Sequence, residues 1–186
     1  MLALRLFAST KPLIAAVNGA AVGIGASMLL PMDIRIASRD ARFGFVFARR
    51  GIVPDACASW FLPRVAGISK ALEWSMGGHV FDAEEARAGG LVSELCEPGE
   101  LLARAQSLAA EIAAHAAPVS VALTRQLMWR MLGAPHPMEA HRLESAALRS
   151  RGASADAAEG VASFREKRPA RFPDAVSTGM PAPYPW

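Results

Sequence analysis

The sequence has no Cys-x-x-Cys pair, no basic arm, no internal repeat and no apolar run approaching the ~20 residues of a membrane span, and each lack removes a class of function. Its two cysteines, Cys57 and Cys96, stand far apart, which argues against a disulfide framework or a zinc site and makes a reducing, cytoplasmic setting the expectation. His79, His115, His136 and His141 are scattered without ligand spacing, so no metal is expected. Met1–Thr10 carries too short an apolar stretch for a secretory signal. Net charge is only +3, a mild excess that suits a phosphorylated small molecule, and neither nucleic acid nor membrane is an expected partner.

What is there is an ordinary globular composition, 52% hydrophobic and 20% charged over 186 residues, enough to bury a core. Short β-branched runs alternate with helical patterns in the first half, which predicts an α/β arrangement. Met1–Ser9 predicts a short helix. Strands are predicted at Lys11–Val17, Ile34–Ala37, Ala41–Phe47 and Leu91–Leu95, with helices at Ala26–Leu30, Ala56–Val65, Ile68–Met76 and Ala83–Ala88. Asp55 is placed to cap the helix from Ala56, and Asp82 the one from Ala83. Beyond Pro98 strand signals stop, and helices are expected over Glu100–Ala114, Pro118–Leu132, Pro137–Arg149 and, capped by Ser154, Ala155–Arg168. The end carries Pro169, Pro173, Pro181, Pro183 and Pro185 and is expected to be irregular. The expected organisation is therefore a core over 1–97, a helical region over 98–168 and a tail over 169–186.

The chain turns on the stretch Asn18 to Asp33. A strand hands over there to a buried helix through Gly23-Ile24-Gly25, which lets another backbone or a ligand approach the first unpaired N–H groups of the helix. By itself a lone Gly-x-Gly is a weak motif, for which a tight turn without any ligand is the simpler explanation. Asp55 reads by itself as an N-cap, Ser27 as a buried helix hydroxyl, and Phe43, Phe45 and Phe47 as core or as pocket lining.

Taken together, Lys11-Pro-Leu-Ile-Ala-Ala-Val-Asn-Gly-Ala-Ala-Val-Gly-Ile-Gly25, Met32-Asp-Ile-Arg-Ile-Ala37, Ala41-Arg-Phe-Gly44, Gly51-Ile-Val-Pro54 and Ala86-Arg-Ala-Gly-Gly-Leu-Val92 resemble the crotonase, or enoyl-CoA hydratase/isomerase, superfamily. Asp156-Ala-Ala-Glu-Gly160 and Phe164-Arg-Glu-Lys167 resemble that family's last helix. The resemblance implies a spiral of ββα turns followed by a helical trimerisation region, a homotrimer or hexamer, and an acyl-CoA thioester as substrate. It implies no cofactor, since coenzyme A is part of the substrate. One oxyanion donor falls on the Ile24 N–H, flanked by Gly23 and Gly25. The loop that carries the second donor in the family has no counterpart here, nor has roughly the first third of a usual member, so a truncated and feebly active chain is expected.

The two carboxylates of the hydratases fall on Ser27 and Phe47, which cannot act as bases. Asp55, followed by Trp60-Phe-Leu-Pro-Arg-Val-Ala-Gly67, resembles instead the isomerase branch, including 1,2-epoxyphenylacetyl-CoA isomerases, where one carboxylate shuttles a proton between C2 and C4. Phe43, Phe45, Phe47 and Trp60 would wall that carboxylate, and Phe164 and Lys167 match positions that reach the adenine and phosphates of CoA. The expectation is enoyl-CoA isomerisation, with hydration as the alternative and a non-enzymatic paralogue on the same scaffold as the alternative of another class.

Overall fold

The computed structural model describes residues 1–182 and Tyr184; residues 183, 185 and 186, part of the expected irregular tail, lie outside the description. Contacts gather the chain into two compact units, the first made of residues 1–9 and 13–109, the second of 10–12 and everything from 110 onward. Among the described residues no single helix is long and apolar enough to cross a membrane.

The first unit opens with helix α1 (Leu2–Phe7) and then strand β1 (Ile14–Val17), whose isoleucine and valine suit a pleated surface. Strand β2 (Ala20–Val22), the one-turn helix α2 (Ile24–Ser27), β3 (Ile34–Ser38) and β4 (Arg42–Gly44) follow. A 3-10 turn at Ala48–Arg50 leads to α3 (Ala58–Ala66), α4 (Ile68–Gly77), β5 (Val80–Asp82), α5 (Ala83–Ala88) and β6 (Glu94–Cys96). The strands form two small sheets. One runs β1-β3-β6, all parallel, with Ile14 opposite Ile34 and Ala37 opposite Leu95; the other runs β2-β4-β5, with β4 and β5 antiparallel and Phe43 opposite Phe81.

Parallel strands need long connections, and here the crossovers carry the helices of this unit. Ile36, Cys96 and Leu101 close one cluster. The other is aromatic: Trp74 stacks on Phe81 with centroids 4.4 Å apart, Phe45 stacks on both, and Phe43 lies 6.1 Å from Phe81. Gly89 makes room for this stack, because a Cβ built there would lie 2.5 Å from the Trp74 ring. Gly89→Ala is therefore expected to destabilise the fold by about 1–3 kcal/mol through overpacking. A chemical-denaturation midpoint equal to that of the unsubstituted chain would contradict this.

Helix α6 (Leu101–His115) leads into α7 (Pro118–Met131), α8 (Pro137–Gly152), α9 (Ala155–Glu166) and the short α10 (Val176–Gly179). In the second unit Val119, Leu123 and Ala147 pack between α7 and α8, with Leu127, Met180 and Tyr184 against them. Local chemistry sets the helix starts: Pro118 and Pro137 occupy first-turn positions, where a missing N–H costs nothing, and Ser154 Oγ accepts from the Ala157 N–H.

Several expected boundaries are corrected. The Asn18-Gly19 turn is followed at once by β2, and α2 begins at Ile24 rather than Ala26. The strand expected over Ala41–Phe47 stops at Gly44, because its antiparallel partner β5 offers only three residues. The helix expected from Ala56 begins at Ala58, and α9 stops at Glu166. The tail holds a helical turn, α10.

Candidate active site

Gly23 adopts φ 59° and ψ −124°, backbone that a side chain disfavours, and its N–H donates to Gly44 O at 2.9 Å, fixing the start of α2 against the end of β4. The Ala26 and Ser27 N–H groups both donate to Gly23 O at 3.0 Å. Helix geometry leaves the earlier N–H groups, those of Ile24 and Gly25, without a backbone acceptor among the described residues. A Cβ built on Gly25 meets nothing within 4 Å, so packing inside the chain does not require glycine there. The Ile24 side chain is exposed, and Ser27 is fully buried with its Oγ unpartnered.

The approach to Asp55 is a loop. Gly51 ends the 3-10 turn at φ 69°, the Ile52 N–H donates to Phe47 O at 3.1 Å, and Ile52 and Val53 are exposed. Asp55 then departs from its expected capping role. Ala56 (φ 46°) and Cys57 (φ 63°) are both left-handed, and the N-cap of α3 is Cys57, without a side-chain hydrogen bond. Two consecutive left-handed residues turn the chain before the helix starts, so the Asp55 carboxylate stands two positions too early to reach the first N–H groups. What Asp55 supplies to the turn is its carbonyl, which accepts from the Ala58 N–H at 2.7 Å. Its carboxylate Oδ1 is buried and has no hydrogen-bond partner.

Left-handed backbone costs about 1–2 kcal/mol for each non-glycine residue. That strain, next to a half-buried carboxylate with a free oxygen, is the pattern of a site whose geometry is held by its surroundings. Nothing in the sequence signals it, because Ala and Cys carry no mark of positive φ.

The aromatic residues expected around Asp55 divide into separate groups. Phe43 and Phe45 belong to the buried stack on Trp74 and Phe81, and Phe47 is buried beside the 3-10 turn. Trp60 is half-buried between Phe7 and Phe61, at 5.7 and 4.7 Å, with the Arg64 guanidinium 4.0 Å over its ring. On β3, Arg35 is pinned by donating from Nε to Leu91 O at 2.7 Å and from its guanidinium to Met32 O. Burial lowers its pKa, with Asp33 acting in the opposite direction.

In the second unit, Phe164 is 85% exposed on the last turn of α9, and Lys167 follows that helix in left-handed backbone at φ 54°. The chain beyond is sewn back along α9. Glu159 takes both guanidinium ends of Arg168, at 2.6 and 2.9 Å, and the Arg171 N–H at 2.7 Å. The Arg168 hydrogen bond and then the Arg171 N–H pull the Glu159 carboxyl down to about 2, and the Arg168 guanidinium rises, through Glu159 first and Glu166 second. Further on, Phe172 packs over Gly160, and the Asp174 N–H donates to Asp156 Oδ1 at 3.0 Å. Among the described residues no cluster of metal-ligating side chains occurs.

A family described as enoyl-CoA hydratase/isomerase matches residues 1–175. The chain is 48% identical over 176 residues to an enoyl-CoA hydratase of Alternaria alternata, a match covering 94% of this chain and 59% of that protein. It is 35% identical over 174 residues to the 1,2-epoxyphenylacetyl-CoA isomerase of Escherichia coli K12, covering 90% and 63% respectively. A solved structure of a probable enoyl-CoA hydratase/isomerase from Mycobacterium abscessus superposes with a TM-score of 0.85 at 39% identity, over 91% of this chain and 68% of that one. The chain thus spans about three-fifths of the length of the two curated relatives.

Proposed function

The chain belongs to the enoyl-CoA hydratase/isomerase family, and from that premise we propose that it processes acyl-CoA thioesters through a thioester enolate, moving the double bond of an enoyl-CoA with Asp55 as proton carrier. In this reading the Asp55 carboxylate takes a proton from C2 of a 3-enoyl thioester and the resulting acid returns one to C4. The electron pair passes through a dienolate whose oxygen accepts from the Ile24 N–H. Coenzyme A enters as part of the substrate, and the reaction needs no separate cofactor.

The observation that carries this reading is the state of Asp55: released from capping, half-buried, and holding a carboxylate oxygen with no partner inside the chain. The open space beside Gly25 and the unpaired Ile24 N–H suit a thioester oxygen. Phe164 and Lys167 are proposed as a CoA-contacting surface at the end of α9.

Hydration is the second reading, favoured by the name of the Alternaria relative. Against it, Ser27 and Phe47 offer no carboxylate to activate water, and Phe47 is packed away from solvent. Two assays run side by side decide: conversion of a 3-enoyl-CoA to the 2-enoyl-CoA, and hydration of crotonyl-CoA. Hydration without isomerisation would overturn the proposal.

We also propose assembly as a homotrimer or a dimer of trimers through the helices from α6 to α9. Leu102, Met128 and Leu148 on these helices, and Leu132 just after α7, are exposed apolar residues that such an interface would cover. A monomer in light scattering at micromolar concentration would exclude this.

A further inference from the structure

Helix α9 ends in an arrangement that packing of the helix does not by itself require. Lys167 sits in left-handed backbone, where glycine or asparagine is usual, with its N–H returned to Phe164 O at 3.3 Å and the Arg168 N–H returned to Ser163 O at 3.1 Å. The next residue is then clamped. Arg168 gives two parallel hydrogen bonds to Glu159 and a third, at 2.6 Å, to Glu166, and Glu159 also holds the Arg171 N–H. A two-pronged guanidinium–carboxylate pair fixes orientation as well as distance, which a single point charge does not.

The consequence falls on the two exposed groups at this helix end. Arg168 is occupied by two carboxylates, whereas Lys167 makes no ion pair with any described residue and is exposed. The Phe164 ring stands three residues earlier, also exposed, and i,i+3 spacing puts it on the neighbouring face. A ring face and an unpaired ammonium held at a fixed turn match an adenine and a phosphate.

We propose that Glu159 is a positioning residue for Lys167: by clamping Arg168 it fixes the left-handed turn and keeps the neighbouring guanidinium out of the way, so that the Lys167 ammonium alone meets a phosphate of coenzyme A. This rests on the reading of Lys167 as a CoA contact, and the two can fail separately.

The experiment measures CoA and dephospho-CoA affinity by calorimetry for the full chain and for Lys167→Ala, Glu159→Gln and the double variant, with thermal unfolding of each. Lys167→Ala is expected to weaken CoA binding by about tenfold, the scale of one charge-assisted contact, and less so at high salt. Glu159→Gln should weaken it by a similar factor, and the double variant should bind no worse than Lys167→Ala, because a positioning residue has no effect once the group it positions is gone. Arg168→Lys, which keeps the charge but loses the fork, should follow Glu159→Gln. A larger loss for CoA than for dephospho-CoA locates the contact on the 3′-phosphate, and equal losses locate it on the diphosphate. Either location supports the proposal. Losses that multiply in the double variant, or full CoA affinity in Glu159→Gln, overturn it. Unchanged affinity in Lys167→Ala instead removes Lys167 from the site and takes the premise with it.

Discussion

Asp55→Asn is expected to lower isomerisation of a 3-enoyl-CoA by about two to four orders of magnitude, the range a positioned acid/base supplies, while acyl-CoA affinity stays close to that of the unsubstituted chain. The amide keeps the size and shape of the carboxylate but cannot hold the proton between C2 and C4. Asp55→Ala should lose activity to the same degree. The structure removes the usual confounding effect, because Asp55 caps nothing: α3 begins with Cys57, and only the Asp55 carbonyl serves the turn. Neither variant should therefore lower the melting temperature, and in Asp55→Ala the loss of an unpartnered buried oxygen removes a cost rather than a contact. If isomerisation survives in Asp55→Asn, the proton is carried elsewhere. A sharp fall in melting temperature in Asp55→Ala would show that the carboxylate is structural.

The second large effect is expected at Arg151, which holds the second unit together from within. Its guanidinium lies 2.5 Å from Asp174 and 3.1 Å from Asp156, and reaches the Gly179 carbonyl at 3.4 Å. The Asp156 side chain is only 3% exposed and the Arg151 side chain 13%. Removing one partner of a buried pair strands the other charge away from water, so Arg151→Met is expected to cost about 3–5 kcal/mol. Asp156→Asn should cost less, because Arg151 keeps Asp174 and an amide oxygen can still accept from the Asp174 N–H. Denaturation followed by far-ultraviolet circular dichroism reads both. Equal losses in the two variants would mean that the hydrogen bonds, and not the stranded charge, set the cost.

Features fixed by neighbouring residues could be read from the sequence. Asp82 and Ser154 cap the helices assigned to them because each accepts from the N–H three residues on, and Pro118 and Pro137 start theirs because a first-turn position needs no N–H and fits the fixed proline φ. Strands β2 and β5 could not be read. Each has three residues, and Ala20-Ala21 has no intrinsic strand preference; what makes it a strand is its pairing with Arg42-Phe43 some twenty residues later. The alternation Phe43-x-Phe45-x-Phe47 announced burial correctly but not the end of the strand, since all three rings are buried while the pairing stops at Gly44.

The same division holds at the site. Asp55 and Ile24 were visible as positions in a motif, whereas the backbone that takes Asp55 out of the capping position belongs to Ala56 and Cys57, where no residue type advertises it. The clamp at Glu159 leaves no mark in the sequence because its partners, Arg168 and Arg171, lie nine and twelve residues away, beyond any helical spacing.

The two left-handed residues after Asp55 also bear on where the first unit is weakest. Strain stored in a native loop is released when that loop opens, so opening around Ala56 and Cys57 regains energy that opening elsewhere in the unit does not, and amide exchange should be fastest there. Glycine at both positions would relieve the strain but also widen the range of shapes open to the unfolded chain, two changes that oppose each other in overall stability. Their effects on the loop do not oppose: both leave Asp55 less tightly aimed. Under the role proposed for Asp55, glycine at both positions is expected to keep the fold and lower isomerisation.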